Sequence, residues 1–292
     1  MDMYYYSCPF LYIGGKMKKL ININLTILIS VVLIVLGVSL CIKDVIINSI
    51  NSEIVAKEVS SKVISILKEY DISYEDLEKI ETNIINSDNT HMITEKYVNG
   101  LVNNIVNNDD EIPNINNELN LILKESEKYI NLDDYGITDE SRNEIIKTLS
   151  SEEKFDKMYK TISNSVKEKM SEKEKGYIEI YNRFISNGFR LILISIILIS
   201  IVLIGFINKS YYKWIINLSI SFFTSGVFIL LALPLFIDFI VNDMIRNVGN
   251  YKINLSYLLN IGYIYLGIFS FLILLFLFID KVKKQKESYY EY

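Results

Sequence analysis

Four apolar blocks dominate the sequence, and each reaches the ~20 residues that a helix needs to cross ~30 Å of hydrocarbon. They read LININLTILISVVLIVLGVSLCI (20–42), FRLILISIILISIVLIGFI (189–207), WIINLSISFFTSGVFILLALPLFI (214–237) and YLLNIGYIYLGIFSFLILLFLFI (257–279). A helix on the surface of a soluble core keeps one polar face, whereas these blocks are apolar all round. The pattern predicts an all-α polytopic membrane protein with four transmembrane helices. Its largest segment without such a block, residues 43–188, falls between the first and second spans.

Lysines set the expected orientation. Lys16, Lys18 and Lys19 precede the first span, Lys209 and Lys213 sit in the turn 208–213, and Lys281, Lys283, Lys284 and Lys286 follow the fourth span. Short basic segments stay in the cytoplasm, so both termini are expected inside. The start of the chain and span one (17–42), the turn 208–213 and the basic tail 280–292 then bound the cytoplasmic side, with 43–188 and the loop 238–256 outside. Residues 44–186 carry 29 acidic against 17 basic residues, a net of −12, which leaves +7 for the rest of the chain. An acidic outer domain with basic inner edges fits this arrangement. The bland reading of the acidity is a solvated surface; the sharper one is attraction for cations or basic ligands such as peptides.

The chain has few groups with which to do chemistry. Cys8 and Cys41 are the only cysteines and His91 the only histidine, so a His/Cys metal site cannot be assembled and no disulfide framework is expected. Asn131–Arg142, NLDDYGITDESR, resembles a calcium loop but places Tyr135 at the fifth position and Arg142 where a bidentate Glu is required. No nucleotide-binding, nucleophile-elbow or zinc-protease fingerprint occurs. The expectation is therefore no cofactor, no metal and no nucleic-acid partner, with His91 exposed to solvent. Isoleucine, asparagine, lysine and tyrosine are abundant while Ala56 and Ala232 are the only alanines. That bias follows A/T-rich codons and points to a bacterial source.

Residues 43–188 read as helical. Ile47, Ile50, Ile54, Val55, Val59, Val63, Ile66 and Leu67 recur at spacings of three and four, which marks one face of a helix. Ser73 opens Ser-x-x-Asp, a start signal. Further helices are expected over 91–106 and 117–130, a turn at Asp133–Gly136, and starts at Thr138 and Ser151. Phe155, Met158, Tyr159, Ile162 and Val166 form the buried stripe of a later helix. The domain is expected to be an extracytoplasmic helical bundle.

Polar residues inside spans are pointers to packing or to a polar path. Asn217, Ser221 and Ser225 in span three and Asn260 in span four are the candidates. Asp238, at the far end of span three, is expected to pair with Arg190, or alternatively with Arg183. At the start of the chain, Met17-Lys18-Lys19 followed at once by an apolar run is how an anchor with its N-terminus inside begins. Ile-Gly-Gly-Lys-Met can be encoded with AGGAGG shortly before ATG. Residues 1–16 are thus expected to be a translated leader or a disordered tail, with Met17 the first residue. The run 20–42 is longer than a signal-peptide core of 7–15 residues, and Leu40 is too large for lipoprotein cleavage before Cys41, so span one is expected to be retained.

These features favour a non-enzymatic protein of the bacterial plasma membrane. Its outer domain would bind, sense or scaffold another membrane or envelope protein, with the lipid bilayer as its constant partner. An alternative is a transporter subunit: one span, a large outer domain and three further spans resembles the layout of the ABC permeases of cell division and of lipoprotein and macrolide export. The resemblance covers topology alone. Those permeases use a longer cytoplasmic segment than NKSYYK and an outer domain with strands. An enzyme acting on lipid or envelope substrates is a third reading, with only unassigned carboxylates behind it.

Overall fold

The computed structural model describes residues 15–107, 109, 111–150, 155–208, 212–237 and 253–290. Every regular element among them is helical. The elements are α1 (Gly15–Ile50), α2 (Ala56–Leu67), α3 (Tyr74–Asn86), α4 (Asp88–Asn107), α5 (Asn116–Ser126), α6 (Asp139–Ser150), α7 (Phe155–Lys169), α8 (Glu172–Phe184), α9 (Asn187–Asn208), α10 (Trp214–Ile237) and α11 (Ser256–Tyr290). Four of them, α1, α9, α10 and α11, are long and apolar enough to cross a membrane. They coincide with the four apolar blocks. Residues 1–14 of the expected leader 1–16, the Ser151 start signal, Asp238 and most of the loop after it lie outside the described residues, whereas Gly15 and Lys16 open α1.

The chain divides into two compact units. One takes α1 up to Ile42 together with α9, α10 and α11, and is called the span unit below; the other, Lys43–Phe184, is the helical domain.

The helical domain owns a continuous apolar core. Val59, Val63 and Leu67 of α2, Ile80 and Ile84 of α3, Ile93 of α4, Leu119 and Ile122 of α5, Leu149 of α6 and Phe155 of α7 are all fully buried and belong to one cluster. The expected stripe of α2 is therefore in place, with one correction. Ile54 is 42% exposed while Val55 is buried. The cause is a π-turn over Asn51–Val55, which inserts one residue into the helical period, so that of the two expected positions only Val55 stays inward. Thr94 donates its hydroxyl to Asn51 Oδ1 at 2.7 Å from α4, which ties down this turn. A second correction falls on α7: Ile162 faces outward and Ser163 is buried in its place.

Local signals behave as their chemistry dictates. Ser73 caps α3, its Oγ accepting from the Asp76 backbone N–H at 3.2 Å, which satisfies one orphan donor of the first turn. Ser87 separates α3 from α4 in an extended conformation and accepts from the Asn89 N–H. Glu125 of α5 then holds that junction, accepting from Ser87 Oγ at 2.6 Å and Asn89 Nδ2 at 2.9 Å. Residues Leu132–Tyr135 form a 3-10 turn closed by Gly136 at φ 73, a conformation that a Cβ disfavours. The calcium-like stretch is organised by its own side chains: Asn131 donates to Asp134, Tyr135 donates to Asp76, and Arg142 is paired with Asp139 and Glu127.

His91 is half-buried rather than exposed, and its Nε2 is enclosed with no hydrogen-bond partner among the described residues. One turn along α4, Glu95 accepts from Lys43 Nζ at 2.7 Å. That bond holds the Glu95 carboxyl below its ordinary pKa, against the opposing effect of burial. A depressed carboxylate adds stability above its unfolded-state pKa and loses it as the pH falls through the folded-state value. Lys43→Met is expected to raise the Glu95 pKa and to lower stability near neutral pH more than in acid. Carboxyl-resolved NMR titration checks this; an unchanged Glu95 titration in the variant would refute it.

Candidate functional site

The span unit is built from polar rungs between helices that are otherwise apolar. At one end of the α1–α9 pair, Arg190 donates through Nη2 to the Ser39 carbonyl at 2.6 Å and through Nε to Ser39 Oγ at 3.3 Å. At the other end, Asn22 Nδ2 donates to Asn208 Oδ1 at 2.8 Å. Without water, such donors gain most by finding a partner on the neighbouring helix.

Helices α1 and α10 are joined by hydroxyls. Ser221 Oγ donates to the Thr26 carbonyl at 3.0 Å, Ser225 Oγ to the Ser30 carbonyl at 2.9 Å, and Ser30 and Thr224 share a 2.9 Å hydroxyl bond. Each hydroxyl also reaches a carbonyl three or four residues back in its own helix, the usual resting bond of Ser and Thr in apolar surroundings. From α11, Tyr265 donates to the Leu33 carbonyl at 2.9 Å. Helices α10 and α11 touch backbone to backbone at Gly226, where a Cβ would lie 3.1 Å from the Gly262 carbonyl oxygen. Within α10, a π-turn over Phe228–Ala232 precedes Pro234. Proline has no N–H to return to that turn, and local widening is a usual answer.

These rungs leave a groove of about 790 Å³ along the first half of α1. Two stripes of α1 line it, each with a spacing of four. Lys18, Asn22, Thr26 and Ser30 form the polar stripe; Ile23, Ile27 and Val31 form the apolar one, with Lys19 at its head. Asn208 closes one side, and Asn217, Ile220 and Thr224 of α10 close the other. At the deep end, Ser30 and Thr224 satisfy each other. At the mouth, Asn22 Oδ1 is enclosed and has no hydrogen-bond partner, and no ion pair to Lys18 or Lys19 exists among the described residues. The groove thus grades from cationic through amide to apolar.

The residues singled out from sequence fall into different places. Ser221 and Ser225 are fully buried and clamp α10 onto α1. Asn217 lines the groove. Asn260 is exposed on α11 and lines no part of it. Arg190 is engaged by Ser39, Arg183 lies in the last turn of α8, and the pairing of either with Asp238 falls outside the described residues. The groove residues of α1 were not anticipated. Their signal was present as polar side chains at 18, 22, 26 and 30, but it emerges only when span one is read for its faces.

A smaller cleft of about 310 Å³ lies in the helical domain, lined by Lys96, Asn99, Asn103, Asp109, Glu111 and Asn114 with Gly100, Ile112 and Pro113. Lys96 is committed there, donating to Glu118 at 2.6 Å and to the Asn114 carbonyl at 2.7 Å. Among the described residues no group of three or more His, Cys, Asp or Glu is gathered closely enough to hold a metal. Comparison with protein-family models, with curated proteins and with solved structures finds no match to the chain.

Proposed function

We propose that the protein is a non-enzymatic component of a bacterial plasma membrane. Both termini lie in the cytoplasm, and residues 43–188 form an extracytoplasmic helical domain that binds or scaffolds a partner at the envelope. The observation that carries this reading is a separately cored, acidic helical domain set between membrane-crossing helices whose flanks are basic. Short basic flanks are retained inside, and a net of −12 on the domain favours a partner with a basic surface. The amides and carboxylates that line the 310 Å³ cleft offer acceptors for such a surface. The all-helical character of the described part of this domain supports the binding reading over a permease-like subunit, whose outer domain would contain strands.

Two measurements test it. In a background with Cys8 and Cys41 replaced by serine, Tyr74→Cys is expected to react with a membrane-impermeant maleimide in intact cells. Lys281→Cys is expected to react only after the cells are permeabilised. Labelling of Lys281→Cys in intact cells overturns the orientation. A photo-crosslinking residue at Asn103 is expected to yield one discrete protein adduct in native membranes, and its loss on charge reversal at Asp109 and Glu111 would identify the acidic cleft as the contact. Absence of any discrete adduct from the domain overturns the binding reading.

A further inference from the structure

The geometry points to a second binding site: the groove of the span unit seats one anionic phospholipid. Its phosphate would lie at Lys18 and Lys19, its ester region at Asn22 and Asn208, and one acyl chain along Ile23, Ile27 and Val31. The charge is complementary, because two ammonium groups stand at the mouth with no acidic partner among the described residues. A lysine near a membrane surface is drawn to anionic lipid. The polarity gradient has the same order as a phospholipid, from charge through hydrogen-bonding esters to hydrocarbon. The amide N–H groups of Asn22 and Asn208 are the donors at that depth.

Size and length agree as well. A groove of about 790 Å³ falls in the usual range of small-molecule sites, ~300–1,000 Å³. From Lys19 to Val31 is twelve residues, about 18 Å of helix at 1.5 Å per residue. One leaflet contributes about 15 Å of hydrocarbon, so the wall from Lys19 at its head to Val31 matches the depth of one leaflet and its polar margin. Ile23, Ile27 and Val31 are each about half exposed along this wall, which leaves room for a chain to lie against them. The deep hydroxyls, Ser30 and Thr224, are already paired and present no unmet polar atom to that chain. The site requires only that the four helices cross a membrane, and it holds for either orientation of the protein.

Native mass spectrometry of the full-length protein, released from mixed phosphatidylglycerol and phosphatidylcholine vesicles, tests this. The expected result is one phosphatidylglycerol retained in preference to phosphatidylcholine. Lys18→Gln with Lys19→Gln is expected to reduce that retention by about tenfold or more. Ile27→Trp fills the chain seat without changing charge and is expected to reduce it similarly. Lys281→Gln with Lys283→Gln removes two charges from the tail and is expected to leave it intact. Equal retention of the two lipids overturns the proposal, as does a loss in the tail variant equal to that in the groove variant. Retention that rises sharply when residues 1–16 are deleted would show that this segment occupies the groove instead, and would also overturn it.

Discussion

Lys96→Met is expected to destabilise the helical domain by about 1–3 kcal/mol, the range for leaving one buried polar group without its partner. Glu118 is the reason. Its side chain is 3% exposed, and Lys96 Nζ approaches it at 2.6 Å while also donating to the Asn114 carbonyl. Lysine, itself partly exposed, therefore serves one enclosed carboxylate and one carbonyl at the surface. Methionine keeps the aliphatic stem but leaves a carboxylate enclosed in the α4–α5 interface with no counter-charge. The readout is hydrogen exchange in the intact protein: peptides from α4 and α5 should lose protection while those of α9 and α11 keep theirs. Lys96→Met combined with Glu118→Leu should recover most of the loss, because exchanging a buried pair for apolar groups is often close to neutral. A single variant as protected as the wild type would show that solvent reaches Glu118 and that the pair contributes little.

Phe155→Ala is expected to cost about 3–5 kcal/mol by removing buried surface and leaving a cavity. Phe155 is fully buried at the start of α7, where it enters the same cluster as Leu119, Ile122 and Leu149. Lys62 Nζ lies 5.8 Å from its ring centroid, so the truncation also removes a cation–π contact. Phe155→Leu retains most of the volume and should cost less than half as much. A melting transition of the helical domain that barely moves in the alanine variant would mean that α7 docks through other residues.

Why some of this was readable and some not follows from the period of each element. A span is legible because every face is apolar, so helix phase is irrelevant; all four blocks match helices of the structure. In the helical domain phase matters. The stripe carried both Ile54 and Val55 inward, but nothing in NSEIV announces the π-turn that leaves only Val55 there. Ser73 was readable because its cap bond is local to four residues. The groove was not, because it is assembled from three helices and from hydroxyls whose neighbours are chosen by packing. Ser221 and Ser225 stood out within one span, yet their acceptors are backbone carbonyls of another. A carbonyl has no letter in the sequence, and the same holds for the Ser39 carbonyl that engages Arg190.

The two rungs of the α1–α9 pair also act as a ruler. Seventeen residues separate Asn22 from Ser39 and eighteen separate Arg190 from Asn208, about 26 and 27 Å of helix at 1.5 Å per residue. The near-equal lengths let two antiparallel helices be fastened at both ends without sliding past each other. They also fix how much hydrocarbon the pair can match without burying a rung. That length is slightly below the ~30 Å of an average bilayer and close to the ~27 Å of a thin one. Lengthening the acyl chains around the protein would draw Asn22 or Arg190 toward oil, and the strain would fall first on the fastenings.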